Sequence, residues 1–218
     1  IDVAVRQPDL LDLDLRLPRR YFQILIQRMT ENPRIATCSG KAYIERNGKL
    51  VNENHGNETS LGMTKFYRVS RFKEIGGFVR EVMWDGIDCH QCRMKGWIAC
   101  SWDDADLRFV HLRPEGSSQH SIYKGRLRAG YGQYFMGTSL LYVTAIAINR
   151  MRQRPYVLGG LALLWGWLLS ACQRKPRYAN IEFRKFLQRY QLRALLVGKK
   201  RAIEEIHRAK GNAEYGES

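Results

Sequence analysis

The chain has 218 residues, which allows one large domain or one domain with an appendage and excludes an array of several large domains. Hydrophobic residues make up 44% of the chain, so a packed core can form. The formal net charge of +15, from 36 Lys and Arg against 21 acidic residues, predicts an anionic partner: nucleic acid, a lipid surface or a phosphorylated ligand.

The chain begins with Ile1 rather than Met, as a fragment would, and its first ten residues lack the apolar stretch of a secretory signal. Five cysteines at irregular spacings predict reduced thiols. Cys89 and Cys92 form a C-x-x-C pair. Because no second such pair exists to complete a zinc site, we interpret them as helix-face cysteines packed in the core rather than a redox or zinc pair.

Two carboxylates separated by one residue, Asp12 and Asp14, are bracketed by leucines and fit the end of a buried strand. Alternation along a strand would place both side chains on the same side. They repel each other unless a cation lies between them, and a divalent metal carrying diphosphate oxygens is one such cation. The same D-x-D spacing is also common in turns.

The next elements alternate between helix and strand. A helix with Pro18 in its first turn is expected to stop at Asn32-Pro33. Its core face comprises Phe22, Leu25, Ile26 and Met29. A strand over 35–38 follows, and then a hairpin over 43–53 that turns at Asn47-Gly48.

A polar loop over 54–60 leads to a predicted strand over 62–69, which carries Lys65 and Arg68. Both cations are candidates for contact with a phosphate or an acceptor. The alternative for each alone is a solvated charge on a strand edge.

The stretch 72–102 predicts helix, loop, helix and strand. Ser70 can cap the first helix, which Gly76-Gly77 ends. The loop ends at Trp84-Asp85, and the second helix runs to Lys95 with Gly96 just beyond it. Residues 97–102 read as a short buried strand.

Asp85 therefore lies at a helix N-terminus beside an indole ring. Helix caps favour Asp and the helix dipole favours anions, so position alone favours a capping role. The same carboxylate could act as a general base that takes a proton from an incoming hydroxyl.

A strand that begins near Leu107 ends at His111, before Arg113 and a Gly-Ser-Ser loop. A lone His at a strand end usually has a structural partner. Backbone N–H groups in the loop at Ser117-Ser118, with a cation nearby, suit a diphosphate, although both serines can also simply shape the turn.

The C-terminal third changes in composition. Residues 138–148 are nearly apolar, and 156–172 form a 17-residue apolar run that is short for a membrane span. Basic residues flank this run on both sides, which favours a helix in the membrane interface or one that re-enters from one side, with a buried helix as the alternative. A basic amphipathic helix starts at Asn180.

The D-x-D, the GGF–loop–acid–helix stretch, the strand that ends at His111 and the basic, aromatic and Gly-rich segment 124–137 together resemble the inverting family-2 glycosyltransferases over about residues 10–137. The resemblance implies an α/β, GT-A-like (Rossmann-like) mixed sheet with flanking helices, truncated at the N-terminus. It also implies a catalytic domain over 1–137 that lacks the N-terminal nucleotide-binding part, a membrane-associating helical region over 138–210 and a disordered tail over 211–218.

The resemblance also implies roles for particular residues. Asp85 falls at the position of the catalytic base, and Trp84 replaces the second acid that the family often has. Asp88 is the fallback base and would contact the acceptor with Trp84 and Lys65. The implied metal site, for Mn2+ or Mg2+, comprises Asp12, Asp14 and His111. The residues implied at the donor diphosphate are Asp12, Asp14, Arg113, Ser117 and Ser118.

The implied activity transfers a sugar from a nucleotide-diphosphate sugar to a lipid-linked or polysaccharide acceptor with inversion, at the cytoplasmic face of the plasma membrane. Because no strict QxxRW motif is present, a processive synthase is not favoured. Two alternatives remain: a basic nucleic-acid-binding protein and a non-catalytic membrane adaptor. The residues do not specify the donor sugar, the acceptor, the linkage or the oligomeric state.

Overall fold

The computed structural model of the chain describes residues 3–5, 14–46, 48–53, 56–112, 122–152 and 155–215, with only the backbone described for 3–5 and 211–215. The described residues form two compact units. Unit 1 comprises Ile1–Phe78, Asp88–Glu115 and Glu204–Ser218, and unit 2 comprises Val79–Ile87 and Gly116–Ile203.

Unit 1 contains all of the described strands, which form two mixed sheets. The strands are β1 (Val3–Val5), β2 (Leu15–Arg16), β3 (Ile35–Ser39), β4 (Lys41–Arg46), β5 (Lys49–Asn52), β6 (Phe66–Arg68), β7 (Ile98–Ser101) and β8 (Arg108–His111). One sheet has the order β1-β6-β3-β7 and the other the order β2-β8-β4-β5. In each sheet one pair is parallel, β3 with β7 and β4 with β8. The mixed α/β class expected from the sequence is confirmed.

The helices are α1 (Tyr21–Glu31), α2 (Val69–Glu74), α3 (Trp84–Met94), α4 (Ile122–Met136), α5 (Leu140–Arg150), α6 (Leu158–Cys172), α7 (Ile181–Val197) and α8 (Lys199–Tyr215). Helix α1 packs on the sheets of unit 1 through Tyr21, Leu25 and Met29, which are at most 1% exposed. Phe22 packs against this core, whereas Ile26 is exposed because it lies outside the buried stripe.

The core of unit 2 is a bundle in which glycines allow helix backbones to touch. A Cβ on Gly130 of α4 would lie 2.1 Å from the Leu163 carbonyl oxygen of α6, and one on Gly166 would lie 2.3 Å from the Leu127 oxygen of α4. Trp167 fills the space beside them, where its indole donates to the Thr138 carbonyl at 3.2 Å. None of the helices in the described part of the chain is long and apolar enough to cross a membrane.

Several sequence expectations are confirmed. Arg46 pairs with Lys49 across the turn at Gly48, which has a φ of 72°. Gly96 follows the end of α3 with a φ of 90°, and Asn180 caps α7 by accepting from the Phe183 N–H. Cys89 and Cys92 are buried in the core, and burial raises the pKa of the Cys92 thiol well above its usual value.

Other expectations are wrong in detail. Pro18 precedes α1 by three residues, and its carbonyl accepts from the Tyr21 N–H. Ser70 lies inside α2 rather than at its N-cap, because the helix starts at Val69. The predicted strand over 62–69 begins as a 3-10 turn (Gly62–Thr64) and ends at Arg68.

The largest difference concerns the basic C-terminal helix. The predicted single helix divides at Gly198, whose φ of 87° ends α7. Helix α8 then continues to Tyr215. The predicted domain boundaries stay predictions.

Candidate active site

His111 and Asp14 are brought together by the pairing of β2 with β8 in unit 1. Leu15 lies opposite His111, and the Leu112 N–H donates to the Asp14 carbonyl oxygen at 2.8 Å. The His111 Nε2 atom lies 3.8 Å from the Asp14 Oδ2 atom. The imidazole is 8% exposed and the carboxylate 30% exposed, so Asp14 lies on the solvent side of the pair. Asp14 lies in a turn before β2 rather than at a strand end.

Glu53 contacts the other nitrogen of the same imidazole. Its Oε2 atom lies 3.3 Å from His111 Nδ1, and its side chain is 8% exposed. The hairpin positions this carboxylate, because the Glu53 N–H donates to the Ala42 carbonyl oxygen and β4 pairs in parallel with β8. Sequence reasoning missed Glu53. The Asn47-Gly48 turn fixes its register on β4, but the pairing of β4 with β8 is a long-range contact.

His111 lies between two carboxylates, one at each ring nitrogen. An imidazole that binds a metal through one nitrogen usually donates its other N–H to a carboxylate, which fixes the tautomer. With Nδ1 protonated toward Glu53, the Nε2 lone pair is directed to the side where Asp14 supplies oxygen. Carboxylate oxygen and imidazole nitrogen suit Mn2+, and carboxylate oxygen suits Mg2+. His111 also lines a surface cavity of about 160 Å³ with Val110 and Leu112.

The described residues supply two of the donors that such a site requires. Within the described ranges, no group of three or more His, Cys, Asp or Glu side chains is arranged to hold a metal ion. The predicted third ligand, Asp12, lies outside the described residues, as do the predicted diphosphate contacts Arg113, Ser117 and Ser118. Asp14 and His111 therefore fit a divalent cation as a partial donor set.

Asp85 lies in the first turn of α3. The helix starts at Trp84, one residue earlier than expected, after Met83 with a φ of 68°. The Asp85 Oδ1 atom accepts from the Gly86 N–H at 3.0 Å. The side chain is half-buried and lies in the first turn of α3, at the positive end of the helix dipole. Both Asp85 and Trp84 remain partly accessible to solvent.

Lys65 and Asp88 form an ion pair inside unit 1. Their side chains are 0% and 3% exposed, and the Lys65 ammonium donates to Asp88 Oδ1. The Tyr67 hydroxyl donates to Asp88 Oδ2. Burial, and then the charge of Asp88, raises the pKa of Tyr67 well above its usual value. Strand β6 is an inner strand between β1 and β3, so the solvated edge considered for Lys65 and Arg68 is wrong. We assign Lys65 and Asp88 a structural role and do not carry them into the proposed acceptor site.

The charge of the chain is segregated. Residues 116–203 contain 16 Lys and Arg and one acid, Glu182. Removing these from the totals of 36 and 21 leaves 20 residues of each sign elsewhere, so the entire net charge of +15 lies in this segment. Most of the exposed large apolar side chains among the described residues also lie there, for example Leu141, Trp165 and Leu196.

Comparisons with known proteins give matches among solved structures, at low sequence identity. No family model matches the chain, and no curated protein matches it. Among solved structures, it is similar to the mannosyltransferase PcManGT from Pyrobaculum calidifontis in complex with GDP-Man and Mn2+, with 12% identity and a TM-score of 0.39. The match covers 92% of this chain and 61% of that chain, so this chain spans less than two thirds of the length of that mannosyltransferase. Neither the identity nor the TM-score is high enough to assign the chain to a family.

Proposed function

We propose that this chain belongs to a glycosyltransferase that moves a sugar from a nucleotide-diphosphate donor to a lipid-linked or polysaccharide acceptor with inversion. The observation that carries the proposal is the arrangement of Asp14, His111 and Glu53 at the junction of β2 and β8. The ordered motifs between Asp12 and residue 137 support it.

In this proposal Asp14 and His111 hold a divalent cation with Asp12, and Glu53 holds the imidazole in the tautomer that leaves Nε2 available. The cation, when bound, neutralises the charge of the departing diphosphate. Arg113 and the loop at Ser117 and Ser118 contact the same diphosphate. Asp85 takes the proton from the acceptor hydroxyl as the new bond forms, and Trp84 forms one wall of the acceptor site.

The test of the metal site measures binding of UDP and GDP by calorimetry, with and without Mn2+. We expect Mn2+ to tighten binding at least tenfold and His111→Ala or Asp14→Asn to remove that enhancement. Glu53→Gln replaces the carboxylate by an amide and keeps the length of the side chain. Loss of a carboxylate that orients a metal-binding imidazole typically weakens metal affinity about 10-fold to 100-fold. Asp106→Asn, at an exposed acid of unit 1, is the matched control and should bind as the unaltered chain does. Equal enhancement by Mn2+ in all four variants would exclude this site.

We also propose that unit 2 attaches the protein to an anionic membrane surface, at the cytoplasmic face of the plasma membrane. Its net charge attracts anionic lipid, at about 1 kcal/mol for each basic group near the surface, and its exposed apolar side chains can enter the interface. Co-sedimentation with vesicles tests this. We expect retention on vesicles that contain 30% phosphatidylglycerol, in proportion to the anionic fraction, and no retention on pure phosphatidylcholine. Recovery in the supernatant with both vesicle types would reject membrane attachment.

A further inference from the structure

An open apolar groove of about 530 Å³ runs between α4 and α6 in unit 2. Its lining comprises Tyr123, Leu127, Leu158, Leu161, Ala162, Leu164, Trp165 and Leu168. Leu158, Leu161 and Trp165 are 54%, 46% and 60% exposed, which is unusual for large apolar side chains grouped on one side of a helix. The polar side-chain groups among these lining residues are the Tyr123 hydroxyl and the Trp165 indole N–H.

One end of this groove is positively charged. Arg126 of α4 lies there, because its Nε atom is 3.9 Å from the position that a Cβ on Gly159 would occupy, in the first turn of α6. The Arg126 Nε atom is buried and has no hydrogen-bond partner. Val157, at the N-cap of α6, makes no side-chain capping bond. Its N–H donates to the Met151 carbonyl oxygen. The basic segment 150–152 therefore lies next to the same end of the groove.

We infer that the groove holds one acyl chain of an anionic bilayer phospholipid, with the lipid phosphate beside the guanidinium of Arg126. The inference rests on the proposed membrane attachment of unit 2 and adds a discrete site to it. A hydrocarbon chain matches a lining that is almost entirely apolar. A phosphate matches the positive charge of Arg126 at one end of that lining. The net positive charge of residues 116–203 makes an anionic lipid the occupant that the surface attracts.

The site can be measured without a bilayer by calorimetry with monomeric 14-carbon lysophosphatidylglycerol, below its micelle concentration. We expect one molecule to bind to each chain, and monomyristoylglycerol, which has no phosphate, to bind at least tenfold more weakly. Arg126→Gln should weaken binding about tenfold, because a charge-assisted hydrogen bond is lost. Arg189→Gln removes the same charge from an exposed position on α7 and should change binding less than twofold.

A second matched pair tests the apolar lining. Leu161→Ser places a hydroxyl in the groove and should weaken lysolipid binding about tenfold. Leu141→Ser makes the same change at a 62% exposed position on α5 and should leave the affinity within twofold. Equal losses in both serine variants, or no saturable binding of the unaltered chain, would overturn the groove as a site.

Quenching by vesicles tests whether the lipid in the groove comes from a bilayer. Phosphatidylglycerol brominated on its acyl chains should quench the fluorescence of Trp165 when the protein binds vesicles. Trp165→Phe should remove most of the quenching, whereas Trp102→Phe in unit 1 should not. Sedimentation with vesicles but no quenching of Trp165 would overturn the groove inference alone and leave membrane attachment intact. Binding of the lysolipid in calorimetry without quenching of Trp165 by brominated vesicles would exclude a bilayer lipid as the occupant.

Discussion

At the scale of single residues, burial separates the acids that can do chemistry from those that stabilise the fold. Asp14 and Asp85 are accessible to solvent, whereas Asp88 is buried with a cation and a phenol directed at its two oxygens. Sequence position cannot make this distinction, because Asp85 and Asp88 lie three residues apart on the same helix.

Asp85→Asn should leave the fold intact and reduce transfer. The amide oxygen can still accept from the Gly86 N–H, and the lost interaction with the helix dipole is worth only about 0.3–1 kcal/mol. An amide cannot accept the acceptor proton, so loss of general-base catalysis should lower the rate about 10² to 10⁴-fold. The measurement is release of nucleoside diphosphate from a panel of nucleotide-diphosphate sugars, with membrane lipid extract as the acceptor source. Normal turnover by Asp85→Asn would show that Asp85 is only a helix-terminal group.

Asp88→Asn should instead destabilise unit 1. It removes the charge that compensates the Lys65 ammonium, and breaking a buried ion pair by removing one partner costs about 3–5 kcal/mol. Denaturant unfolding should show this loss. In the double variant Lys65→Met with Asp88→Leu no buried charge remains, so it should recover much of the stability. A single variant as stable as the unaltered chain would contradict the structural role that we assign to the pair.

At the scale of elements, the local signals in the sequence predicted the structure well. The turn at Gly48, the end of α3 before Gly96 and the cap at Asn180 each depend on neighbours within a few residues, and all three are confirmed. The errors at Pro18 and Ser70 are shifts of one to three residues at helix starts, where several residues compete for the same cap.

Long-range pairing explains what could not be predicted. Nothing local to Glu53 indicates that β4 lies beside β8, so its contact with His111 was missed. For the same reason the sequence leaves open whether Lys65 is buried or solvated, because long-range pairing makes β6 an inner strand. Gly198 is a local signal for the break between α7 and α8. The amphipathic pattern on both sides of Gly198 nevertheless predicts one continuous helix.

Gly166→Ala should disrupt the packing of α4 against α6. The added Cβ would meet the Leu127 carbonyl oxygen at 2.3 Å, and a backbone atom cannot move aside as a flexible side chain can. We expect a loss of about 1–3 kcal/mol, as for overpacked cores, in thermal or denaturant unfolding. Gly159→Ala is the control on the same helix, because its nearest neighbours are Pro155 side-chain atoms at 3.5 Å and beyond. It should be neutral or stabilising by up to about 1 kcal/mol, since alanine restricts the unfolded chain.

At the scale of the whole molecule, the segregated charge suits either of two anionic partners, a membrane or a nucleic acid. The 16 basic residues of 116–203 would retain nucleic acid at low salt by charge alone. The exposed aliphatic side chains of the same segment contribute little to such binding, but they can enter a lipid interface.

Salt should therefore separate the two partners. We expect retention of labelled RNA or DNA on nitrocellulose at 50 mM salt to be lost at 200 mM, because counterion release makes that affinity steeply salt-dependent. Retention on anionic vesicles should weaken less over the same range, since salt screens only the electrostatic part and burial of apolar surface does not weaken with added salt. Nucleic-acid binding that survives 200 mM salt, together with loss of vesicle binding, would favour the nucleic-acid-binding alternative.

The glycine contacts between α4 and α6 have a consequence for the membrane attachment that we propose for unit 2. Backbones that touch at Gly130 and Gly166 are held by van der Waals packing of small residues, which operates in hydrocarbon as well as in water. Under that proposal, this helix pair would need no folding transition at a lipid surface. Its far-ultraviolet circular dichroism should be the same before and after vesicles are added, unlike that of an amphipathic peptide that becomes helical only at the interface.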